Sequence, residues 1–351
     1  MTSSPRTRGD GPGGKAPLRV VAIGGGTGLP AVLRGLRRFV QSGELSELTA
    51  IVAMTDDGGS SGRLRRTRGL PPPGDLRNCL VALSCDESLL AGLFQHRYRG
   101  DDDVGGHSVG NLILAALAEM TGSFMKAVEV SSLVLRTAGR ILPVTLDDAV
   151  LEAEIEDGSI VVGESRIGGS GKRIRRLRLR PAGVTPTPGV VRAILDADLV
   201  SLGPGSLYTS LLPNLLVGAV SDALRATTAR KIFVANLVSE RGEAAGMDLR
   251  DQLSVVEATA GGRFVDAVLV HDGAIDPAIL RRYQAEGASP LSWADRGPDT
   301  GAVVRRPLLA AGTKLRHDPD ATAEGILEAW ALARRDGATM RAGRAEPPDR
   351  P

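Results

Sequence analysis

Two adjacent carboxylates, Asp56 and Asp57, follow the apolar run Leu48–Met54 and precede a loop rich in glycine and serine. The apolar run predicts a buried strand, and open α/β sheets bind ligands at the carboxyl ends of their strands. There the two carboxylates can coordinate a hard cation or accept hydrogen bonds from ligand hydroxyls. We favour this over simple helix capping, because the neighbouring glycines have no evident capping role. The loop adds three candidates for hydroxyl or phosphate recognition: Ser60, Ser61 and Arg63.

A glycine-rich turn follows the first apolar run, Val20–Ile23, and leads into a segment with the pattern of an amphipathic helix. A strand, a glycine turn and a helix together place a phosphate at the helix N-terminus, where backbone N–H groups and the helix dipole attract anions. The turn is not a P-loop, and Leu29 replaces the third glycine of a dinucleotide fingerprint. A tight turn without a ligand is the alternative. The candidate phosphate-binding residues are Gly24, Gly25, Gly26, Thr27 and Gly28.

A second turn of the same kind follows the apolar run Ala197–Leu202. It combines small residues and hydroxyls ahead of another apolar segment, as the first turn does. Because the carboxyl ends of parallel strands meet at one edge of a sheet, the two turns can share a single crevice. A further predicted strand, Lys231–Leu237, contributes an amide side chain near its end. The candidates from these segments are Gly203, Gly205, Ser206, Thr209 and Asn236.

Two more segments place polar side chains near predicted helix starts. Asp75, Arg77 and Asn78 follow a proline-rich loop. They either cap the next helix or are aimed at a site by the stiff loop, and the residues alone leave both interpretations open. His107 stands directly before an apolar helix that carries Asn111 on its first turn. This pair can present a neutral imidazole and an amide to one ligand, or it is a surface histidine beside an ordinary cap.

Composition limits the classes of function. With 42% apolar and 24% charged residues, the 351-residue chain is typical of a globular protein. A net charge of +2 and an aromatic content of 3% argue against a nucleic-acid partner. The spacing of Cys79 and Cys85 fits neither a zinc pair nor a redox motif. No apolar run approaches the roughly 20 residues of a membrane span, and no signal peptide is evident. We therefore expect a cytoplasmic protein without membrane insertion.

The alternation of apolar strands and amphipathic helices predicts an α/β fold with a doubly wound, mostly parallel, Rossmann-like sheet. Residues 18–337 are expected to form a single domain between disordered tails at 1–17 and 338–351. Between about 145 and 181 the pattern changes to short alternating segments, which predict a small antiparallel β insertion. Its last strand, within Lys172–Arg180, carries arginines on one face. This favours a solvent-facing strand over a contact surface for an acidic partner.

Five motifs occur together in a fixed order: Ile23–Gly28, Met54–Arg63, Pro73–Asn78, His107–Asn111 and Leu202–Ser210. With them the sequence closely resembles the YvcK-type gluconeogenesis factor proteins of bacteria. These belong to the larger superfamily of CofD, the 2-phospho-L-lactate transferase. The resemblance covers essentially the whole chain apart from its tails. The doubled aspartate and the Gly-Gly-Ser-Ser-Gly-Arg continuation follow the gluconeogenesis-factor version, so the transferase activity is not carried over.

The resemblance implies a cytoplasmic protein needed for cell shape and wall synthesis during growth on gluconeogenic carbon sources. Members of this branch are understood to bind a UDP-sugar, notably UDP-N-acetylglucosamine, without an established reaction. We therefore expect a binding and regulatory protein rather than an enzyme. The alternative is a Mg²⁺-dependent phospho-group transferase, and in that case alone Asp57 is expected to bind metal. A homo-oligomer and a regulatory protein partner both stay open.

On this hypothesis the ligand diphosphate lies on the two glycine turns, Gly24–Gly28 and Gly203–Ser206. Three hydroxyls assist: those of Thr27, Ser206 and Thr209. Four side chains address the sugar or the uridine: Asp56, Asp57, His107 and Asn111. Both turns would then form walls of one nucleotide crevice.

Overall fold

The computed structural model describes residues 16–85, 89–239, 244, 246–291 and 301–342. The expected tails, 1–17 and 338–351, lie outside the described residues except for 16–17 and the end of the last helix. That helix continues to Ala342, so the domain boundary expected at 337 falls inside it.

In chain order the strands are β1 (Leu18–Gly24), β2 (Leu45–Val52), β3 (Arg140–Pro143), β4 (Val150–Ile155), β5 (Ile160–Val162), β6 (Ile174–Arg180), β7 (Leu199–Leu202), β8 (Arg230–Val234), β9 (Ala267–His271) and β10 (Ala302–Arg306). The helices are α1 (Gly28–Gln41), α2 (Gly59–Arg68), α3 (Gly74–Leu83), α4 (Leu89–Gln95), α5 (Val109–Thr121), α6 (Phe124–Val134), α7 (Glu164–Gly168), α8 (Val190–Asp196), α9 (Leu212–Leu215), α10 (Gly218–Ala226), α11 (Leu249–Thr259), α12 (Pro277–Ala285) and α13 (Pro319–Ala342). A π-helical turn, Leu207–Leu211, leads directly into α9.

Seven strands form one parallel sheet in the order β10-β9-β8-β7-β1-β2-β3. At its centre Ile23 of β1 pairs with Ile51 of β2 on one side and with Leu202 of β7 on the other. All three side chains are fully buried, as expected for a parallel sheet with helices on both faces. The sequence-based prediction of a doubly wound fold is confirmed.

The order of the strands reverses next to β1. The chain moves from β1 outward through β2 and β3, and later returns to β7 on the opposite side of β1. At such a switch point the loops after the two central strands separate and leave a crevice at the carboxyl edge. The turns Gly24–Gly28 and Gly203–Ser206 follow β1 and β7, so both stand at this crevice.

The antiparallel insertion lies between β3 and β7 as a three-stranded sheet in the order β5-β4-β6. Alternate residues of β4 face inward, where Leu151 and Ala153 are buried. Glu152 and Glu154 occupy the other positions and form ion pairs with arginines of β6, for example Arg175 with Glu154 at 3.2 Å. The predicted β insertion is confirmed, and three arginines of β6, Arg175, Arg178 and Arg180, have acidic partners in β4.

Helix α13 packs against α1 and the β8–β10 half of the sheet. Gly35 of α1 allows the approach, since a Cβ there would lie 1.9 Å from the carbonyl oxygen of Pro319. Trp330 of α13 is buried against the sheet side of the helix, and its indole N–H donates to the Asp198 carbonyl, which directly precedes β7, at 3.1 Å. Among the described helices none alone has the length and apolar composition to cross a membrane. One sharply bent pair, Leu207–Leu215 with Gly218–Ala226, meets that criterion by length and composition together.

Candidate functional site

Two adjoining cavities open at the carboxyl edge of the sheet, and they share Asp56 and Asp75. The larger has a volume of about 240 Å³ and is lined by Asp56, Gly58, Gly59, Ser60, Ser61, Gly74, Asp75, Arg77, Asn78, Arg97 and Asn111. The smaller has a volume of about 150 Å³ and is lined by Gly26, Ala53, Thr55, Asp56, Asp75, Glu164, Thr209 and Ser210.

The larger cavity contains the two arginines of the site, Arg77 and Arg97, alongside the carboxylates of Asp56 and Asp75. The first residues of α2 and α3, Gly59 and Gly74, both line it, so two helix N-termini contribute partial positive charge. Arg77 is 6% exposed, and its Nε has no hydrogen-bond partner. Burial, with a contribution from nearby Arg97, lowers the pKa of Arg77. A buried guanidinium with an unused N–H beside two helix N-termini is an environment that favours an anion.

A cluster of hydrogen-bonded side chains forms part of the wall of the larger cavity. Ser60 Oγ lies 2.9 Å from His107 Nδ1 and accepts a hydrogen bond from Asn111 Nδ2 at 3.0 Å. Burial, followed by the charges of Arg63 and Arg97, lowers the pKa of His107, so its imidazole is neutral at pH 7. His107 therefore positions Ser60, while Ser60 and Asn111 themselves line the cavity. The Asn111 Oδ1 is buried and has no partner, which leaves it available to a ligand donor.

The two adjacent aspartates have different structural roles. Asp56 accepts a hydrogen bond from the Gly58 N–H at 2.9 Å and lines both cavities. Asp57 instead accepts a hydrogen bond from the Ser165 N–H at 2.9 Å, in the first turn of α7. It lines neither cavity and connects the α2 loop to the β insertion. The structure thus separates a pair that the sequence pattern treats as one unit.

Asp75 lies between the two cavities and is hydrogen-bonded to the first glycine turn. Its Oδ2 accepts a hydrogen bond from the Gly26 N–H at 2.6 Å. Burial raises the pKa of Asp75 to about 6, the charge of Asp56 adds to the rise, and the Gly26 hydrogen bond opposes it. An amide that the sequence pattern assigned to a ligand phosphate therefore binds a carboxylate of the protein.

The two glycine turns pack tightly against each other. A Cβ on Gly28 would lie 2.1 Å from the Pro204 carbonyl oxygen. The Gly205 N–H donates to Asn236 Oδ1 at 2.9 Å, and Asn236 Nδ2 donates back to the Gly205 carbonyl at 2.8 Å. Gly203, in the second glycine turn, has a positive φ of +78°. These residues form the two turns at the switch point of the sheet, and the two cavities lie beside them.

The sequence-predicted residues therefore fall into two groups. Those that line a cavity are Gly26, Asp56, Ser60, Ser61, Asp75, Asn78, Asn111 and Thr209. Those that lie outside the two linings are Gly24, Gly25, Thr27, Gly28, Asp57, Arg63, His107, Gly203, Gly205, Ser206 and Asn236.

Arg63 illustrates the second group, because its Nη2 donates to the Gly105 carbonyl at 2.6 Å and supports the loop before α5. The lining residues that were not singled out from sequence include Thr55, Arg97 and Glu164. Arg97 reaches the cavity through an isolated bridge to Ser108, which no local pattern indicates. Thr55 directly precedes the two aspartates, and its position at a strand end is the sequence signal that could have identified it as a site residue. Glu164 comes from the insertion.

The comparisons with known proteins agree with the observed fold and identify a family. Residues 20–306 match the family model described as 2-phospho-L-lactate transferase CofD. The gluconeogenesis factor of Halalkalibacterium halodurans is 42% identical over 312 residues, covering 88% of this chain and 95% of that protein. The gluconeogenesis factor of Bacillus subtilis is 44% identical, covering 78% and 85%. A crystal structure of a UPF0052 family protein from Bacillus halodurans superposes with a TM-score of 0.84 at 40% identity, covering 89% of this chain and all of that one.

Proposed function

The chain belongs to the CofD family, within its gluconeogenesis factor branch, and from that premise we propose that it is a regulatory protein that binds a nucleotide sugar of the UDP-N-acetylglucosamine type. In this proposal it acts in the cytoplasm and supports cell morphogenesis and wall synthesis during gluconeogenic growth. The names of the relatives support the metabolic context. The site has one cavity that contains arginines and one that is rich in oxygen atoms. This division supports a ligand with a phosphate part and a sugar part.

The observation that carries the proposal is the buried Arg77 guanidinium, whose Nε is unpartnered at a cavity lined by two helix N-termini. We assign the ligand diphosphate to this larger cavity, because the Gly26 amide is already bonded to Asp75. The smaller cavity then takes the sugar. Its lining presents carboxylate and hydroxyl oxygens, which are suited to sugar hydroxyls and an amide N–H.

Isothermal titration calorimetry of the purified protein with UDP-N-acetylglucosamine tests the proposal. The wild type is expected to bind, and Arg97→Gln is expected to weaken binding about tenfold by removing one charge-assisted phosphate contact. Arg66→Gln is the matched control, since Arg66 is exposed on α2 and lines neither cavity. Absence of binding by the wild type would overturn the proposal. Equal losses in both variants would show that only net charge matters.

A Mg²⁺-dependent phospho-group transferase is the second candidate, favoured by the two carboxylates at the junction of the cavities. The described residues contain no group of three or more His, Cys, Asp or Glu side chains that could hold a metal. Mg²⁺ is often bound by one or two carboxylates together with substrate phosphates, so Asp56 and Asp75 fit this mode and Asp57 does not. Turnover of a nucleotide-linked donor that is lost in Asp56→Asn would establish this function. Binding without turnover would exclude it for the donors and acceptors assayed.

A further inference from the structure

The β insertion contributes directly to the candidate site through its short helix α7. Glu164, the first residue of α7, lines the smaller cavity together with Gly26 and Thr209. The same aspartate lies beside both neighbours of Glu164. Asp57 accepts the Ser165 N–H, and a Cβ on Gly163 would lie 2.5 Å from Asp57 Oδ2. Asp57 therefore lies against the backbone that carries Glu164.

The chemistry of the smaller cavity indicates what kind of group it binds. Its described lining has carboxylates from Asp56, Asp75 and Glu164 and no cationic side chain. Thr55 also lines it and is 4% exposed, and its Oγ1 has no hydrogen-bond partner. An unpartnered buried hydroxyl is costly unless a ligand pairs with it. Because the lining repels anions and is rich in acceptors, it suits an uncharged group that carries several donors.

We propose that Glu164 is a specificity-determining residue that accepts hydrogen bonds from hydroxyl or amide N–H groups of the ligand's sugar, and that Asp57 is its positioning residue. This inference rests on the proposed nucleotide-sugar binding. It assigns the insertion a direct role in selecting the ligand. It also assigns Asp57 a hydrogen-bonding role that needs an acceptor oxygen and not a negative charge.

Calorimetry with two ligands, UDP-N-acetylglucosamine and UDP, tests the role of Glu164. The readout is the dissociation constant for UDP divided by that for UDP-N-acetylglucosamine. Because UDP lacks the sugar, this ratio measures the preference for the sugar-bearing ligand. Glu164→Ala is expected to reduce the preference for the sugar-bearing ligand about tenfold, the loss of one or two hydrogen bonds to a half-buried acceptor. Glu156→Ala is the matched control, because Glu156 is an exposed carboxylate in the same insertion. Its ratio is expected to equal that of the wild type.

A pair of substitutions at Asp57 tests positioning. Asp57→Asn keeps an oxygen that can accept the Ser165 N–H, so it is expected to retain most of the preference. Asp57→Ala removes that acceptor and is expected to lower the ratio towards the Glu164→Ala value. A metal ligand or a charge contact would instead make Asn and Ala equally damaging. Far-ultraviolet circular dichroism and a thermal melt of each variant separate misfolding from loss of selectivity.

The outcomes distinguish this inference from the proposed function. If the wild type binds neither ligand, the proposed function fails and this inference fails with it. If the wild type prefers the sugar and Glu164→Ala keeps that preference, the inference alone is overturned. If Asp57→Asn loses as much preference as Asp57→Ala, the positioning role is overturned. A reduced ratio in Glu164→Ala and Asp57→Ala, with rescue in Asp57→Asn, supports it.

Discussion

Glycines stand at two kinds of helix start along the carboxyl edge of this sheet, and they serve different purposes. In the turns after β1 and β7, the place of a Gly28 Cβ is taken by the backbone of Pro204. At the N-terminus of α3, the place of a Gly74 Cβ is taken only by the side chains of Ser61 and Asp56, at the cavity wall. Glycine in the first case permits two backbones to touch. In the second it leaves room for the Ser61 and Asp56 side chains that line the larger cavity.

The difference shows why a glycine cluster alone is an ambiguous signal for phosphate binding. Gly28 and Gly74 both stand at the start of a helix, as the glycines of phosphate-binding turns do. What separates them is whether the space beside the glycine is filled by backbone or lies at a cavity wall, because the amide of Gly74 also has a protein partner, Ser61 Oγ at 3.1 Å. At Gly26 the amide binds Asp75. At α2 and α3 the helix N-termini face the cavity that holds Arg77.

Gly28→Ala should have the largest effect on stability. The added methyl would meet Pro204 O and C at 2.1 and 2.6 Å, and backbone on both sides leaves little scope for relaxation. We expect a loss of about 3 kcal/mol in unfolding free energy, measured by urea denaturation. Gly218→Ala is the control, since nothing lies within 4 Å of its Cβ position. A loss in Gly28→Ala as small as in this control would contradict the packed-turn interpretation.

Gly74→Ala should affect binding more than stability. Its methyl would lie 2.5 Å from Ser61 Oγ and 3.0 Å from Asp56 Oδ2, which are side-chain atoms that can move towards the cavity. We expect a stability change below about 1 kcal/mol and about tenfold weaker binding of UDP-N-acetylglucosamine. Denaturation and calorimetry on the same preparation measure both. Unchanged affinity would show that the ligand does not use the larger cavity.

Asp75→Asn should change how stability depends on pH. The pKa of Asp75 is raised to about 6 in the folded protein, so the native state holds its proton more tightly than the unfolded state does. Stability from this group is present below about pH 4 and is lost as the pH rises through about 6. The variant, whose amide oxygen can still accept the Gly26 N–H, should therefore become relatively more stable by about 1–2 kcal/mol above pH 7. Urea denaturation at pH 4, 6 and 7.5 measures this.

Asp157→Asn provides a control of opposite sign for that experiment. Hydrogen bonds from Lys172 and Ser159 lower the pKa of Asp157, an exposed carboxyl in the insertion. Its contribution is therefore present above the ordinary range of a carboxyl pKa and is lost as the pH falls. The two variants should diverge from the wild type in opposite directions at neutral pH. A shift in the same direction for both would contradict the assignment for Asp75.

Glu152→Gln should have the smallest effect. Glu152 pairs with Arg178 at 3.7 Å and Arg180 at 3.8 Å on the solvent face of the insertion. Because such pairs are solvated and screened by salt, we expect a change below about 0.5 kcal/mol at physiological ionic strength. Thermal melts with and without added salt measure it. A loss comparable to Gly28→Ala would mean that surface charge, and not turn packing, governs stability.

Much of the fold could be predicted from local pattern. The apolar runs at β1, β2 and β7 and the change of periodicity near residue 150 indicated a parallel sheet with an antiparallel insertion, and the structure confirms both. Eight of the predicted site residues line a cavity, Asp56 and Asp75 among them. Strand ends and helix starts are readable from sequence because hydrophobic periodicity and turn chemistry are local properties.

The residues that sequence alone could not place depend on contacts between distant segments. Asp56 and Asp57 are chemically identical neighbours, and only the arrival of α7, more than a hundred positions later, makes one a ligand candidate and the other an anchor. Arg97 and Glu164 likewise reach the site through tertiary packing. The sequence by itself determined the sheet, its two central turns and the family. The tertiary structure decided which amides, carboxylates and glycines are already occupied, because occupancy depends on partners that no local pattern contains.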